Sequence, residues 1–250
     1  MTAETPRQRR PRYRAPDPKY MTFVEHLQEL RQRLVKSLAA IAVGSIGGWF
    51  LAPWTIHKLE EPVRKAFHIT LIGTQVYAGF TLQLKIAVII GFIFALPITV
   101  YQLWGFLAPA FGPKAYRWAP IWIGAFLLLF VAGGVTGFLV VPLALTFFAK
   151  FQGSDIKIFP IATDYVNFIA LIMVVFGISF ETPLALVSLT ASGVTSSRWL
   201  ASKRLHAFFA CFIFSTIATP GADLVSPLIL GGILYILFEL GVAISRLMGH

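Results

Sequence analysis

The sequence predicts an all-α integral membrane protein: six transmembrane helices, both termini cytoplasmic, preceded by an amphipathic N-terminal helix. Three observations carry this expectation. Only 13% of the 250 residues are charged and 57% are hydrophobic, where a soluble domain carries about a quarter charged residues. The mean hydropathy is +0.75. The apolar residues also fall into runs near the roughly 20-residue length that crosses a bilayer core. That much apolar surface exceeds what one soluble core can hide, and lipid is the solvent that accepts it.

Residues 1–20 are rich in Arg and Pro without a hydrophobic period. They are expected to form a disordered basic cytoplasmic tail. Residues 21–250 are expected to form a single membrane domain. From Met21 to Lys36, Thr22 can cap a helix, with Glu25 at capping-box spacing. Phe23, Leu27, Leu30 and Leu34 recur at three and four, so they share a face. An amphipathic, surface-lying helix leading directly into the membrane is the expectation.

Six apolar runs follow, at about 34–54, 82–103, 118–148, 165–189, 205–219 and 227–245. The last two are short for a span. Only Pro220 to Ser226 joins them, which predicts a tight hairpin. No cleavable signal-peptide pattern is visible, so insertion through the first span is expected.

The net charge is +10, and the placement of the cations decides its meaning. Arg7, Arg9, Arg10, Arg12, Arg14 and Lys19 crowd the tail. Lys114, Arg117, Arg198, Lys203, Arg204 and Arg246 fall on the same predicted side. The opposite side holds Lys58, Arg64, Lys65, Lys150 and Lys157, with Lys85 near the outer end of the second span. This asymmetry orients the chain with both ends cytoplasmic. It also points to anionic lipid, not nucleic acid, as the partner of the basic segments.

The single cysteine, Cys211, excludes a disulfide or a cysteine-based metal site within one chain. Gly44-x-x-x-Gly48 and Gly133-x-x-x-Gly137 are spacings that let membrane helices approach closely, and ordinary packing is their expected role. Pro97, Pro142 and Pro183 lie inside spans and are expected to kink them or to mark carbonyls that neighbours satisfy. Internal repeats are not evident, which argues against a transporter built on inverted halves.

Few residues could carry chemistry. Glu181, in Ser179-Phe180-Glu181-Thr182-Pro183, lies well inside the fourth run. A charge at that depth costs roughly 2.5–3.5 kcal/mol on insertion scales, so an intramembrane acid is a functional candidate by default. The plainer reading is a neutral Glu181 hydrogen-bonded to a neighbouring helix. Glu239, seven residues before Arg246, reads as an interfacial acid near the headgroups. Asp223 in the last hairpin reads equally as turn chemistry or as a functional group. Glu29 and Arg33, four apart, can pair along the helix. Glu25 and Glu29 share a face, where two carboxylates in a basic region either are solvated or receive a cationic ligand. There is no HExxH, no Gly-x-Ser-x-Gly, no glycine-rich phosphate loop after a strand, and no metal-ligand spacing among His26, His57, His68, His206 and His250. No cofactor and no enzyme activity are expected.

Several strings, taken together, resemble the TatC family, the multi-spanning subunit of the twin-arginine protein translocase. They are His26-Leu27-Gln28-Glu29-Leu30-Arg31-Gln32-Arg33-Leu34, Glu61-Pro62, Leu96-Pro97, and the run from Tyr101 through Trp104-Gly105-Phe106 to Ala108-Pro109. Phe176-Gly177 through Glu181-Thr182-Pro183, Thr219-Pro220-Gly221-Ala222-Asp223 and Leu237-Phe238-Glu239-Leu240-Gly241 complete the set. The likeness runs from about Thr22 to the C-terminus.

It implies a core receptor in the inner membrane of a prokaryote. Such a receptor takes arginine-pair signal peptides of folded precursors at the cytoplasmic face. It works with single-span partners of the TatA and TatB type, self-associates, and is driven by the proton-motive force. The implied signal-peptide set is Glu25, Glu29, Arg31, Phe106 and Pro109. The implied intramembrane and partner-contact set is Glu181, Asp223, Pro62 and Glu239. In one departure, Ala115 stands where the family commonly carries a Glu before an Arg pair. Glu25 is the compensating candidate. Two other readings stay open: a TatC paralogue without arginine-pair recognition, and a proton-coupled small-solute transporter using Glu181 and Lys85.

Overall fold

The computed structural model describes residues 23–67, 70–108, 115–150, 160–218 and 225–249. The expected tail therefore lies outside the described residues, as do Pro109 and Asp223. Among the described residues the regular structure is helical: α1 Phe23–Phe67, α2 Ala78–Leu107, α3 Ala115–Lys150, α4 Ala162–Phe180, α5 Thr182–Ala191, α6 Ser197–Ser202, α7 Arg204–Ala218 and α8 Val225–Leu247. One isolated bridge joins Ile72 to Ile161, with the Ile72 amide donating to the Pro160 carbonyl (3.1 Å) and the Ala162 amide to the Ile72 carbonyl (2.9 Å). It pins the connection between α1 and α2 to the start of α4.

Among the described residues, five helices are long and apolar enough to cross a membrane: Val24–Lys65, Ala78–Leu107, Arg117–Phe147, Ala162–Ala191 (α4 and α5 together) and Pro227–Leu247. Arg204–Ala218 is a shorter apolar helix. At 15 residues, it rises only about 22 Å, against a hydrocarbon core of roughly 30 Å.

Two expectations change. The amphipathic segment before the first span is not a separate surface helix. α1 is one helix of 45 residues, because no Gly or Pro falls between Phe23 and Gly44 to interrupt the hydrogen-bond ladder. It also continues beyond the first apolar run. Lys58, Glu61, Pro62, Arg64 and Lys65, expected in a loop, are helical. The Lys58 ammonium donates to Glu61 at 3.1 Å, one turn on. The helices also run through Pro97 and Pro142 without division, and only Pro183 coincides with a break.

Packing follows the small residues. α1 and α2 are antiparallel, and the Gly44-x-x-x-Gly48 spacing forms their seam. A Cβ on Gly44 would lie 2.7 Å from the Gly91 carbonyl oxygen, and one on Gly48 would lie 2.4 Å from that of Ala87. Backbones this close leave no room for any side chain. Ala52, Leu82, Ile86, Ala162 and Val166 continue the contact and bring in α4. Gly133-x-x-x-Gly137 serves α3 against α4 in the same way, with Gly133 facing the Phe176 carbonyl. The largest buried cluster lies between α1, α3, α4 and α8, around Val63, Val141, Tyr165, Ile169, Phe176 and Leu230. Outside these seams the helices present Val43, Phe50 and Leu128 to the surroundings. That surface suits lipid.

Gly48→Ala is expected to lower the thermal stability of the detergent-solubilised protein by about 1–3 kcal/mol through overpacking. Gly47→Ala, with nothing within 4 Å of its Cβ, leaves stability unchanged or raises it, since alanine is the better helix former. Equal melting temperatures for the two variants would remove the seam from this account.

Candidate binding site at one end of the bundle

The antiparallel seam brings the first turns of α1 against the last turns of α2. There the Arg33 guanidinium joins both helices. Its Nε donates to Glu29 Oε1 at 3.0 Å and its Nη2 to the same oxygen at 2.5 Å. Its Nη1 donates to the main-chain carbonyl of Gln102 at 3.2 Å. The pair is about four-fifths buried, with side chains 23% and 21% exposed. Glu29 Oε2 is shielded and accepts no hydrogen bond among the described residues. His26 Nδ1 lies 3.8 Å from it.

One turn earlier, the His26 ring stacks on Phe106 of α2, with centroids 4.3 Å apart and planes inclined by 14°. Trp104, two residues before Phe106 and so on another face of α2, packs against Trp122 of α3 at 4.6 Å. Trp122 in turn donates to the Ser188 hydroxyl of α5 at 3.0 Å. Acid, guanidinium and the stacked His26 and Phe106 rings are thus held between α1 and α2. Such a patch can accept a cationic, fork-shaped donor beside an aromatic surface.

The predicted set is only partly assembled. Glu29 and Phe106 are brought together. Glu25 lies one turn before Glu29 and is exposed. Arg31 points elsewhere: it lines an open groove with Gln28, Gln32, Val35 and Lys36, since two residues along a helix turn it to the far side. Ala115 is the first residue of α3. Sequence reasoning missed His26, Gln102 and Gly105 as site residues, and read Arg33 only as a surface partner. Their shared signal is position: His26, Glu29 and Arg33 repeat at three and four on one helix face.

The second predicted set is dispersed. Glu181 sits between α4 and α5. Pro183 cannot offer the amide that would bond the Ser179 carbonyl, and the Thr182 hydroxyl donates there instead at 2.7 Å. Both Glu181 carboxyl oxygens are shielded and have no hydrogen-bond partner among the described residues. The hydrogen bond to a neighbouring helix expected for a neutral Glu181 is therefore not seen.

Glu239 has partners, though not Arg246: Arg204 of α7 donates to it at 2.7 Å and the Tyr235 hydroxyl at 3.1 Å. Pro62 lines a cleft of about 280 Å³ between α1 and α3, with Lys58, Glu61, Lys65, Phe138 and Pro142. Lys85 donates to Asn167 of α4 at 2.8 Å. Asn167 lies fourteen residues before Glu181, about 21 Å of helix rise away, so the structure does not join Lys85 to Glu181. No group of three His, Cys, Asp or Glu side chains is placed to hold a metal among the described residues.

Fold and site together define a multi-pass helical membrane protein with a polar patch at one end of its bundle. The family described as "Sec-independent protein translocase protein (TatC)" matches residues 25–232. The TatC of Carboxydothermus hydrogenoformans is 33% identical over 229 residues, covering 91% of this chain and 94% of that protein. The TatC of Escherichia coli K12 is 31% identical over 227 residues, covering 90% and 88%. A crystal structure of a twin-arginine translocase receptor, TatC, superposes with a TM-score of 0.75 at 30% identity, covering 90% of this chain and all of that one. The chain belongs to the TatC family. It is a membrane component of a protein translocase and not an enzyme.

Phe106→Ala removes the ring on which His26 rests. Amide hydrogen exchange before Arg33 is expected to rise severalfold, while the seam around Gly44 to Ala52 stays protected. Unchanged exchange before Arg33 would show that the stack does not hold the end of α1.

Proposed function

We propose that the chain is the receptor and core subunit of a twin-arginine translocase. In this reading the Arg33 end of the bundle faces the cytoplasm of a prokaryotic cell, in its inner membrane. The chain crosses that membrane six times, with α7 and α8 as the last two spans and both termini inside. The excess of Lys and Arg at this end supports the orientation.

The observation that carries the proposal is the shielded carboxylate of Glu29. It lies beside the exposed edge of the α1 and α2 ends, already accepts one guanidinium, and has a second oxygen without a hydrogen bond among the described residues. An arginine of a signal peptide is the ligand that such a group fits, by charge-assisted hydrogen bonds. Phe106, stacked by His26, forms the adjoining apolar wall. Glu25 extends the same patch, Arg31 serves the neighbouring groove, and Pro109 is assigned to signal-peptide binding by the family likeness alone.

Glu181 supplies the second part. A carboxylate shielded in a span without a partner among the described residues is costly to keep charged. We assign it to contact with a single-span partner of the TatA or TatB type, and assign Pro62, Glu239 and, by the family likeness alone, Asp223 to the same role. Cargo movement is driven by the proton-motive force, and the basic segments rest on anionic lipid. Self-association of copies completes the export site.

Binding of an arginine-pair signal peptide to the purified protein tests the receptor reading. Glu29→Gln should weaken binding at least about tenfold, as should replacing the arginine pair by lysines. Equal affinity of the two peptides would leave a TatC-family scaffold without arginine recognition. A photocrosslinker at position 181 should capture a single-span partner, and one at Phe50 should not. The reverse pattern would remove Glu181 from the partner surface.

A further inference from the structure

The seat that would receive an incoming guanidinium is already filled by one from the same chain. Arg33 gives two N–H groups to Glu29 Oε1 and a third to the Gln102 carbonyl. All three bonds are made where water is largely excluded, since four-fifths of each side chain is covered. While Arg33 remains there a ligand can be offered only Oε2; a bidentate grip on both carboxylate oxygens requires Arg33 to leave.

Gly105 explains why Arg33 fits. A Cβ at position 105 would lie 1.9 Å from Arg33 Nη1 and 2.8 Å from its Cζ. The guanidinium therefore lies in the space that any other residue at 105 would fill. The contact is with the far end of a flexible side chain. A methyl group there would evict the guanidinium and leave the α2 backbone in place.

Resting on the reading of Glu29 as the receiving group, we propose that Arg33 is a resident competitor for Glu29. A signal-peptide arginine binds by exchange with it, and Arg33 thereby sets the affinity threshold of the site. The exchange is close to balanced when guanidinium replaces guanidinium, because the charge-assisted bonds lost by Arg33 are regained by the ligand. An ammonium, a compact point charge without the planar fork, does not regain them. Displacement lowers the affinity of every ligand by the same factor, so a weak ligand falls below useful occupancy and a strong one does not. Arg33 is in this sense a regulating residue that acts through Glu29.

Two variants of the full chain test this by different routes. Arg33→Gln removes the competitor. Gly105→Ala keeps Arg33 and Glu29 but fills the seat, and alanine is the best helix former, so α2 is retained if Arg33→Gln folds poorly. Affinity for a synthetic arginine-pair signal peptide is measured with purified protein in lipid nanodiscs. Both variants are expected to bind about tenfold more tightly than the unmodified chain, about 1.4 kcal/mol. The lysine-pair peptide should gain by a similar factor, and neither gain should appear when Glu29→Gln is also present.

A purely structural Arg33 would give weaker or unchanged binding. If the unmodified chain shows arginine- and Glu29-dependent binding but neither variant gains, the competitor is overturned and the receptor reading stands. If no variant binds the arginine peptide in a Glu29-dependent way, both fall.

Discussion

The close antiparallel seam between α1 and α2 is the constraint on which the candidate site depends. Gly44, Gly48 and Gly91 let two backbones meet without side chains between them. In lipid there is no hydrophobic force to press helices together, so association relies on close packing and interhelical polar contacts. The seam also acts as a ruler. With Gly44 opposite Gly91, the helical rise carries Arg33 to Gln102 and Gly105, and His26 to Phe106. A slip of one turn, about 5.4 Å, would separate each of these pairs. The polar patch is therefore a consequence of an apolar contact about three turns away.

The charges divide by whether the fold satisfies them. Glu29, Glu61 and Glu239 each lie beside a cation: Arg33, Lys58 and Arg204. Two of these pairs are local to α1, and the third ties α7 to α8, where it reinforces a short helix that packs mainly on one neighbour. Glu181 stands apart. Its backbone is accounted for, its amide donating to the Ile178 carbonyl and its carbonyl accepting from the Ala185 amide, yet its carboxyl oxygens find no partner among the described residues. A side chain shielded but unsatisfied within the chain is the kind of group that association can satisfy, which is why it is assigned to an assembly surface.

Arg33 and Gly105 show how one substitution can alter a site through a neighbour. A guanidinium, a carboxylate and a missing side chain occupy one volume, and changing any of the three changes the other two. The absence of an acid at Ala115 sharpens this. With Glu29 as the proposed acceptor on α1, the state of its guanidinium partner Arg33 carries more of the behaviour of the patch.

The sequence alone was enough to read class and membership. Membrane residence followed from apolar runs against sparse charge, and the likeness to the TatC family from short strings in order. The use of both Gly-x-x-x-Gly spacings for close packing was also legible, because small residues at that interval leave few other roles in lipid. What remained hidden depended on continuity and register. The extension of α1 from Phe23 to Phe67 escaped hydropathy, which tracks apolar runs and not the unbroken ladder through polar turns. Glu239 reads from sequence as an interfacial acid near the headgroups, and its partner Arg204 lies on the neighbouring helix. Arg33 looked like half of a surface pair, whereas its bond to Gln102 and its place over Gly105 exist only once two helices, sixty-nine residues apart at that contact, are packed in register. Sequence periodicity specifies which residues share a face; only tertiary packing decides which face they meet.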